Sequence, residues 1–263
     1  MVHRAPPPAA LIVAHPGHEL MVYGWMENAR PVYCCLTDGS GGRAQSRLAS
    51  TARLLERVGA RQGPVYGRFP DQEVYRDLLA GRVEVFADLV EELAQMLIDE
   101  GIGAVAGDAA EGINPSHDLC RFLIDGAVAL VERRTGRALL NYDFVLDSRP
   151  DAAPEAVGRD ALWLELDAAA VERKIVAARG YPELRGEVEG ALARFGRAAY
   201  ARECLRPSTT ATMLEQFARE APAYERWGAL RVSEGRYRDV LRYREHVLPA
   251  LSAIERRARA GSR

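Results

Sequence analysis

Short, unbroken apolar runs alternate along this chain with longer stretches in which apolar residues recur every three or four positions. Leu11-Ile12-Val13-Ala14 is too short for a buried helix and suits a strand covered on both faces. Val32-Tyr33-Cys34-Cys35-Leu36-Thr37 is a second such run, and residues 64–69 form a third. Gly103-Ala104-Val105-Ala106-Gly107 makes a small-residue fourth strand, and residues 139–146 a fifth. Helical periodicity predicts helices over 19–29, over 44–58 with a stop at Gly59, and over 83–99, where Val83, Phe86, Val90, Leu93 and Leu97 share one face. Another helix follows the 108–118 loop and runs to about residue 134. Strand and helix in alternation, joined by short connections, predict an α/β, Rossmann-like, doubly wound and mostly parallel sheet.

Residues 148–159, rich in Pro, Asp and Ala, read as an exposed loop. Beyond Asp167 the strand signal fades. Helices are expected over 168–179, 183–195 and 197–205, then a break at 207–210 and an Arg-rich last helix over 237–259. Residues 1–180 are thus read as the α/β domain, and 181–263 as a helical extension packed on it that shapes the mouth of a site.

Composition narrows the functional classes. A net charge of −2 supplies no basic face for phosphates, which argues against a nucleic-acid partner. No run approaches the roughly 18 apolar residues of a membrane span. The proline-rich start lacks the apolar core of a secretory signal. Cys34, Cys35, Cys120 and Cys204 show no C-x-x-C spacing and read as small core residues, which suits a reducing, cytoplasmic setting. Nothing in the pattern specifies an oligomeric state.

The chemistry gathers at two strand ends. The first run stops at His15-Pro16-Gly17-His18-Glu19, and the fourth empties into a loop ending Asn114-Pro115-Ser116-His117. Three of the chain's five histidines, His15, His18 and His117, lie in these loops, on the sheet edge where open α/β folds bind ligands. Each alone reads as a loop histidine near a helix start. Together they can supply three neutral nitrogens to zinc or another divalent transition metal, leaving a position open for water or substrate. His3 and His246 have no partners in sequence and read as peripheral.

Ala14-His15-Pro16-Gly17-His18-Glu19 resembles the Ala-His-Pro-Asp-Asp-Glu signature of the PIG-L (LmbE-like) family of metal-dependent N-acetylglucosaminyl deacetylases. Asn114-Pro115-Ser116-His117 is similar to that family's His-Pro-Asp-His, and Leu36 to Gly42 to its Thr-x-Gly-x-x-Gly segment. The resemblance covers roughly residues 9 to 180. It implies a Rossmann-like fold, a zinc ion, and hydrolysis of an N-acyl group on a small amino-sugar-type substrate. It also implies that Arg47 and Asn114 contact substrate. Gly17 stands where the family has its general base, His18 where it has a metal-ligating Asp, Asn114 for its leading His and Ser116 for an Asp. An imidazole at position 18 in place of a carboxylate raises the charge of the metal site and predicts a more acidic bound water.

Part of the task of the base missing at Gly17 can then pass to the metal and its water, and a relocated carboxylate is the other route. Glu19, Asp38, Asp108, Glu111 and Asp118 all lie near strand ends. Asp38 ranks first, because Glu19 falls in a first helical turn, where a carboxylate is favoured on structural grounds. Two other readings remain open. One is a metal- or sugar-binding protein that has lost turnover. The other is a nucleotide-dependent enzyme using Gly39-Ser40-Gly41-Gly42-Arg43-Ala44, which fits G-x-G-x-x-A.

Overall fold

A computed structural model describes residues 7–41, 45–147, 149–152 and 160–260. His3, residues 42–44 of the glycine loop and most of the expected 148–159 loop lie outside the described residues. The apolar runs become β1 (Ala9–Val13), β2 (Val32–Thr37), β3 (Arg61–Phe69), β4 (Ala104–Asp108) and β5 (Leu140–Phe144). They pair in parallel in the order β3-β2-β1-β4-β5. Two further strands, β6 (Leu162–Glu165) and β7 (Arg202–Pro207), extend the sheet to seven, with β7 antiparallel to both β5 and β6.

Alternation along the central strands divides the core into two layers. Ala10 and Ile12 of β1 with Cys34 and Leu36 of β2 face α4 (Glu84–Asp99), α5 (Pro115–Thr135) and α10 (Leu248–Ala260). Leu11, Val13, Tyr33 and Cys35 face the opposite side. There they meet Tyr23 and Met26 of α1 (Tyr23–Ala29), Leu54, Leu55 and Val58 of α2 (Leu48–Val58), and Ala177 of α6 (Ala168–Arg179). Helix α2 ends at Gly59 in the left-handed conformation, as its sequence predicts.

Several elements differ from the periodicity. The 19–29 helix opens with a tight 3-10 stretch, His18–Val22, before α1. A nine-residue helix, α3 (Asp71–Leu79), follows β3 with too few apolar positions to have announced itself. The expected helix over 197–205 is instead a short 3-10 turn, Arg197–Tyr200, leading into β7. Tertiary pairing explains this: Glu203 and Arg206 are buried and bonded to Lys174 and Asp143, whereas a helix would have carried such charges on its solvent face. The tail therefore contributes a strand as well as helices. Besides α7 (Arg185–Phe195), it holds α8 (Thr210–Arg219) and α9 (Ala223–Ser233). The last helix begins with a π turn, Tyr243–Val247, just before Pro249, whose missing N–H disturbs the ladder. Among the described residues no helix is long and apolar enough to cross a membrane.

Candidate metal centre

Between β1 and β4 the direction of strand addition reverses, leaving a crevice at the carboxyl ends of the two strands. His15-Pro16-Gly17-His18 leaves β1 there. Gly17 makes the turn with φ +108°, and its N–H donates to Glu19 Oε2 at 2.8 Å. From β4, the chain reaches Asn114, which caps α5 by accepting the Ser116 N–H at 2.9 Å with Pro115 in the first turn. His117 follows on that turn. The three rings converge: centroids lie 5.2 Å apart for His15–His18, 5.1 Å for His15–His117 and 4.6 Å for His18–His117.

Two of the imidazoles are anchored from behind. His15 Nδ1 lies 2.7 Å from Thr37 Oγ1 and 3.0 Å from Asp71 Oδ1. Thr37 uses its single hydroxyl proton on the Ala14 carbonyl, so Nδ1 of His15 is the donor and Nε2 keeps its lone pair. His18 Nδ1 lies 2.9 Å from Asp108 Oδ2, which likewise leaves Nε2 available. Neither nitrogen of His117 has a partner among the described residues. Burial lowers the pKa of His15, against the opposing effect of the hydrogen bond it donates to Asp71. Burial, then the neighbouring His18 and His15, holds His117 well below the usual histidine range. Asp71 is lowered: burial alone would raise it, but the hydrogen bond and charge from His15, with the Gly41 N–H bond, prevail.

Neutral imidazoles backed by carboxylates are the donor set a divalent transition metal needs. Three imidazoles around one zinc ion would place their ring centroids about 5 Å apart, which matches the observed spacing. Their planes instead pack edge to face, at 85°, 67° and 85°. Among the described residues no group of three or more His, Cys, Asp or Glu side chains stands in a geometry that could hold a metal ion as it is. The donors fit in kind and spacing, and their aim is the part that binding would have to adjust.

The other residues singled out from the sequence divide into two groups. Arg47 and Asn114 come to the loops: Arg47 Nη1 reaches the Pro16 carbonyl at 3.4 Å, and Tyr75 OH donates to Asn114 Oδ1 at 3.2 Å. Glu19 lies fully buried beneath the loop and accepts from Gly17 N–H, Tyr33 OH, Thr51 Oγ1 and Tyr181 OH. Asp38 accepts the Ser40 and Asp71 N–H groups on Oδ1, while its Oδ2 has no donor among the described residues. No bond joins Glu19 or Asp38 to the histidines. Sequence reasoning missed Asp71, whose only local signal is Pro70 before a helix start. It also missed Leu184, whose Cδ1 stands 2.5 Å from where a Cβ on Gly17 would lie. Leu184 borders an apolar cavity of ≈ 190 Å³ that Gly17, Ile175, Val188 and Leu192 also line.

No protein-family model matches the chain, and no curated protein matches it. Solved structures do share its architecture. One is the A40926 pseudoaglycone deacetylase Dbv21, at a TM-score of 0.55 and 17% identity, covering 76% of this chain and 96% of that one. Another is the conserved protein TT1542 from Thermus thermophilus, at 0.53 and 17% identity, covering 76% of this chain and 94% of that one. The chain shares the fold of a known deacetylase.

Proposed function

We propose that this chain is a metal-dependent hydrolase of the PIG-L type that removes an N-acyl group, such as acetyl, from an amino sugar or sugar conjugate. The observation that carries this reading is the meeting of His15, His18 and His117 at the β1/β4 crevice of a deacetylase fold. These residues would hold zinc or another divalent transition metal through their unbonded nitrogens. Such an ion, when bound, acts as a Lewis acid and lowers the pKa of coordinated water.

The chain's own groups then have distinct tasks. Both lone pairs of Asn114 Oδ1 are taken, by Ser116 N–H and Tyr75 OH, so Asn114 offers only its amide N–H to a developing oxyanion. Arg47, half-buried and folded back over the Pro16 carbonyl, contacts substrate at the loop. Asp38 is the proton acceptor in this reading, because its Oδ2 is unengaged among the described residues while Glu19 is engaged by four donors. Glu19 holds the loop in shape.

One observation favours a second reading, a metal- or sugar-binding protein without efficient turnover. Leu184 fills the space beside Gly17 that a base at that position would occupy. The nucleotide reading has less support, because the Ser40 and Gly41 N–H groups already serve the Asp38 and Asp71 carboxylates.

Metal analysis of the purified protein tests the proposal. About one divalent ion per chain is expected, with tight binding lost in His117→Ala, since two protein ligands rarely hold a stable site. Unchanged metal content in that variant removes His117 from the centre. Acetate release from N-acetylated amino sugars then separates the hydrolase from the silent binder.

A further inference from the structure

Asp108 closes β4 with its side chain fully buried. Its two hydrogen-bond donors, Ala14 N–H at 2.8 Å and His18 Nδ1 at 2.9 Å, both reach the same oxygen, Oδ2. Oδ1 is sealed from solvent and has no partner among the described residues. Among the described residues, His18 is the sole basic side chain within ion-pair distance of Asp108. A carboxylate this deep, with one oxygen unmatched and no fixed cation, is unfavourable unless positive charge stands close by. The open side of the His18 ring is where that charge would sit.

We infer that Asp108 is a positioning and charge-balancing residue, which locks the His18 ring with Nε2 outward and supplies through it the negative charge that a divalent cation in the crevice requires. The inference rests on the metal reading above. Two N–H donors on one oxygen account for the contacts at Ala14 and His18 but leave Oδ1 unmatched among the described residues. A hydrogen-bonded carboxylate behind a ligating imidazole raises the ligand's basicity and fixes its orientation, and losing it typically costs about 10- to 100-fold in metal affinity. Asp71 does the same for His15 but is differently placed. It is partly exposed and divides its oxygens between His15 and the Gly41 N–H. Among the described residues His117 has no such backing. The site is therefore asymmetric, and charge enters it mainly behind His18. The positive charge added by His18 in place of a carboxylate would be offset accordingly, because a carboxylate stands behind the ring, hydrogen-bonded to Nδ1.

The test is zinc affinity by chelator competition, the visible spectrum of the cobalt(II)-loaded protein, and the melting temperature of metal-free protein. Asp108→Asn keeps an oxygen for both Ala14 and His18 while removing the charge. Zinc affinity should fall about 10- to 100-fold and the cobalt spectrum should shift, with the metal-free melting temperature held or raised. Affinity within about twofold of wild type and an unchanged spectrum would make Asp108 a mere cap for Ala14 and overturn the inference. The double variant His18→Asp, Asp108→Asn moves the carboxylate to the ligand position and should recover most of the lost affinity; no recovery overturns the charge-balancing role. If Asp108→Asn does not fold, His18→Asp with Asp108 intact decides. Two facing carboxylates should lower the metal-free melting temperature, and zinc should restore it, whereas an unchanged melting temperature counts against the inference. A wild-type protein that takes up no divalent ion overturns the metal reading and this inference together, and it is recognised before any substitution is made.

Discussion

Asp108 and Asp143 sit on adjacent strands at one end of the sheet, both fully buried, and are held in opposite ways. Asp143 receives Arg206 Nε at 2.7 Å and Nη2 at 2.6 Å on one oxygen, and Thr209 N–H and Oγ1 at 2.8 and 2.7 Å on the other. Nearby, buried Glu203 is matched by Lys174 at 2.8 Å and caps the Gly24 and Trp25 N–H groups. At the antiparallel edge, then, these buried carboxylates have a covalently attached cation. In the β1/β4 crevice, Asp71 and Asp108 have imidazoles and N–H groups instead. A fold that pairs buried charge with a side-chain cation at its edge has left one Asp108 oxygen without a partner among the described residues at its switch point, where the proposed cation would sit.

The comparison is most severely tested at the edge. Arg206→Ala strands Asp143 in the core without its cation and should cost about 3–5 kcal/mol in urea unfolding. A loss below about 1 kcal/mol would show that the ion pair is not what holds this region, and the contrast would collapse. Next in size is Gly17→Asp, which puts a side chain at φ +108° and against Leu184. It should destabilise by about 1–3 kcal/mol, with partial relief from Leu184→Ala, and should not raise deacetylase turnover. A clean gain in rate at unchanged metal affinity would show that only the base was missing. Glu19→Gln should cost about 1–2 kcal/mol, because one of its oxygens becomes a donor facing hydroxyl and N–H donors. Asp38→Asn should leave stability nearly unchanged and reduce kcat/KM by at least about 10²-fold. Near-normal turnover removes Asp38 as proton acceptor. The smallest expected change sharpens the contrast most. In metal-free protein, Asp108→Asn should shift unfolding by less than about 0.5 kcal/mol or stabilise it, since it removes a charge with no fixed partner.

Much of this was legible in the chain. The run Leu11 to Ala14 announces the central strand, and the His-Pro-Gly cluster announces where it ends. Ala104 to Gly107, with the His117 loop beyond, announces the strand that β1 pairs with. These signals survive because buried parallel strands must be apolar on both faces and loops follow at their carboxyl ends. Residues 202–207 were not legible. Glu203 reads as a polar helix position, and Arg206 follows that expected helix, until Lys174, 29 residues from Glu203, and Asp143, 63 residues from Arg206, supply partners that make a buried strand tenable. Helix α3 was equally silent, although it delivers Asp71 to His15.

By itself, then, the sequence determined the parallel core, its five strands and the placement of three histidines at two strand ends, because each follows from periodicity within a dozen residues. Only the tertiary structure decided what stands behind each imidazole, what fills the space beside Gly17, and that the tail returns to the sheet. His15 meets Asp71 across 56 positions and His18 meets Asp108 across 90. Local pattern records which face a residue turns to the core. It carries no record of which distant side chain waits there, and in this protein that choice sets the charge of the site.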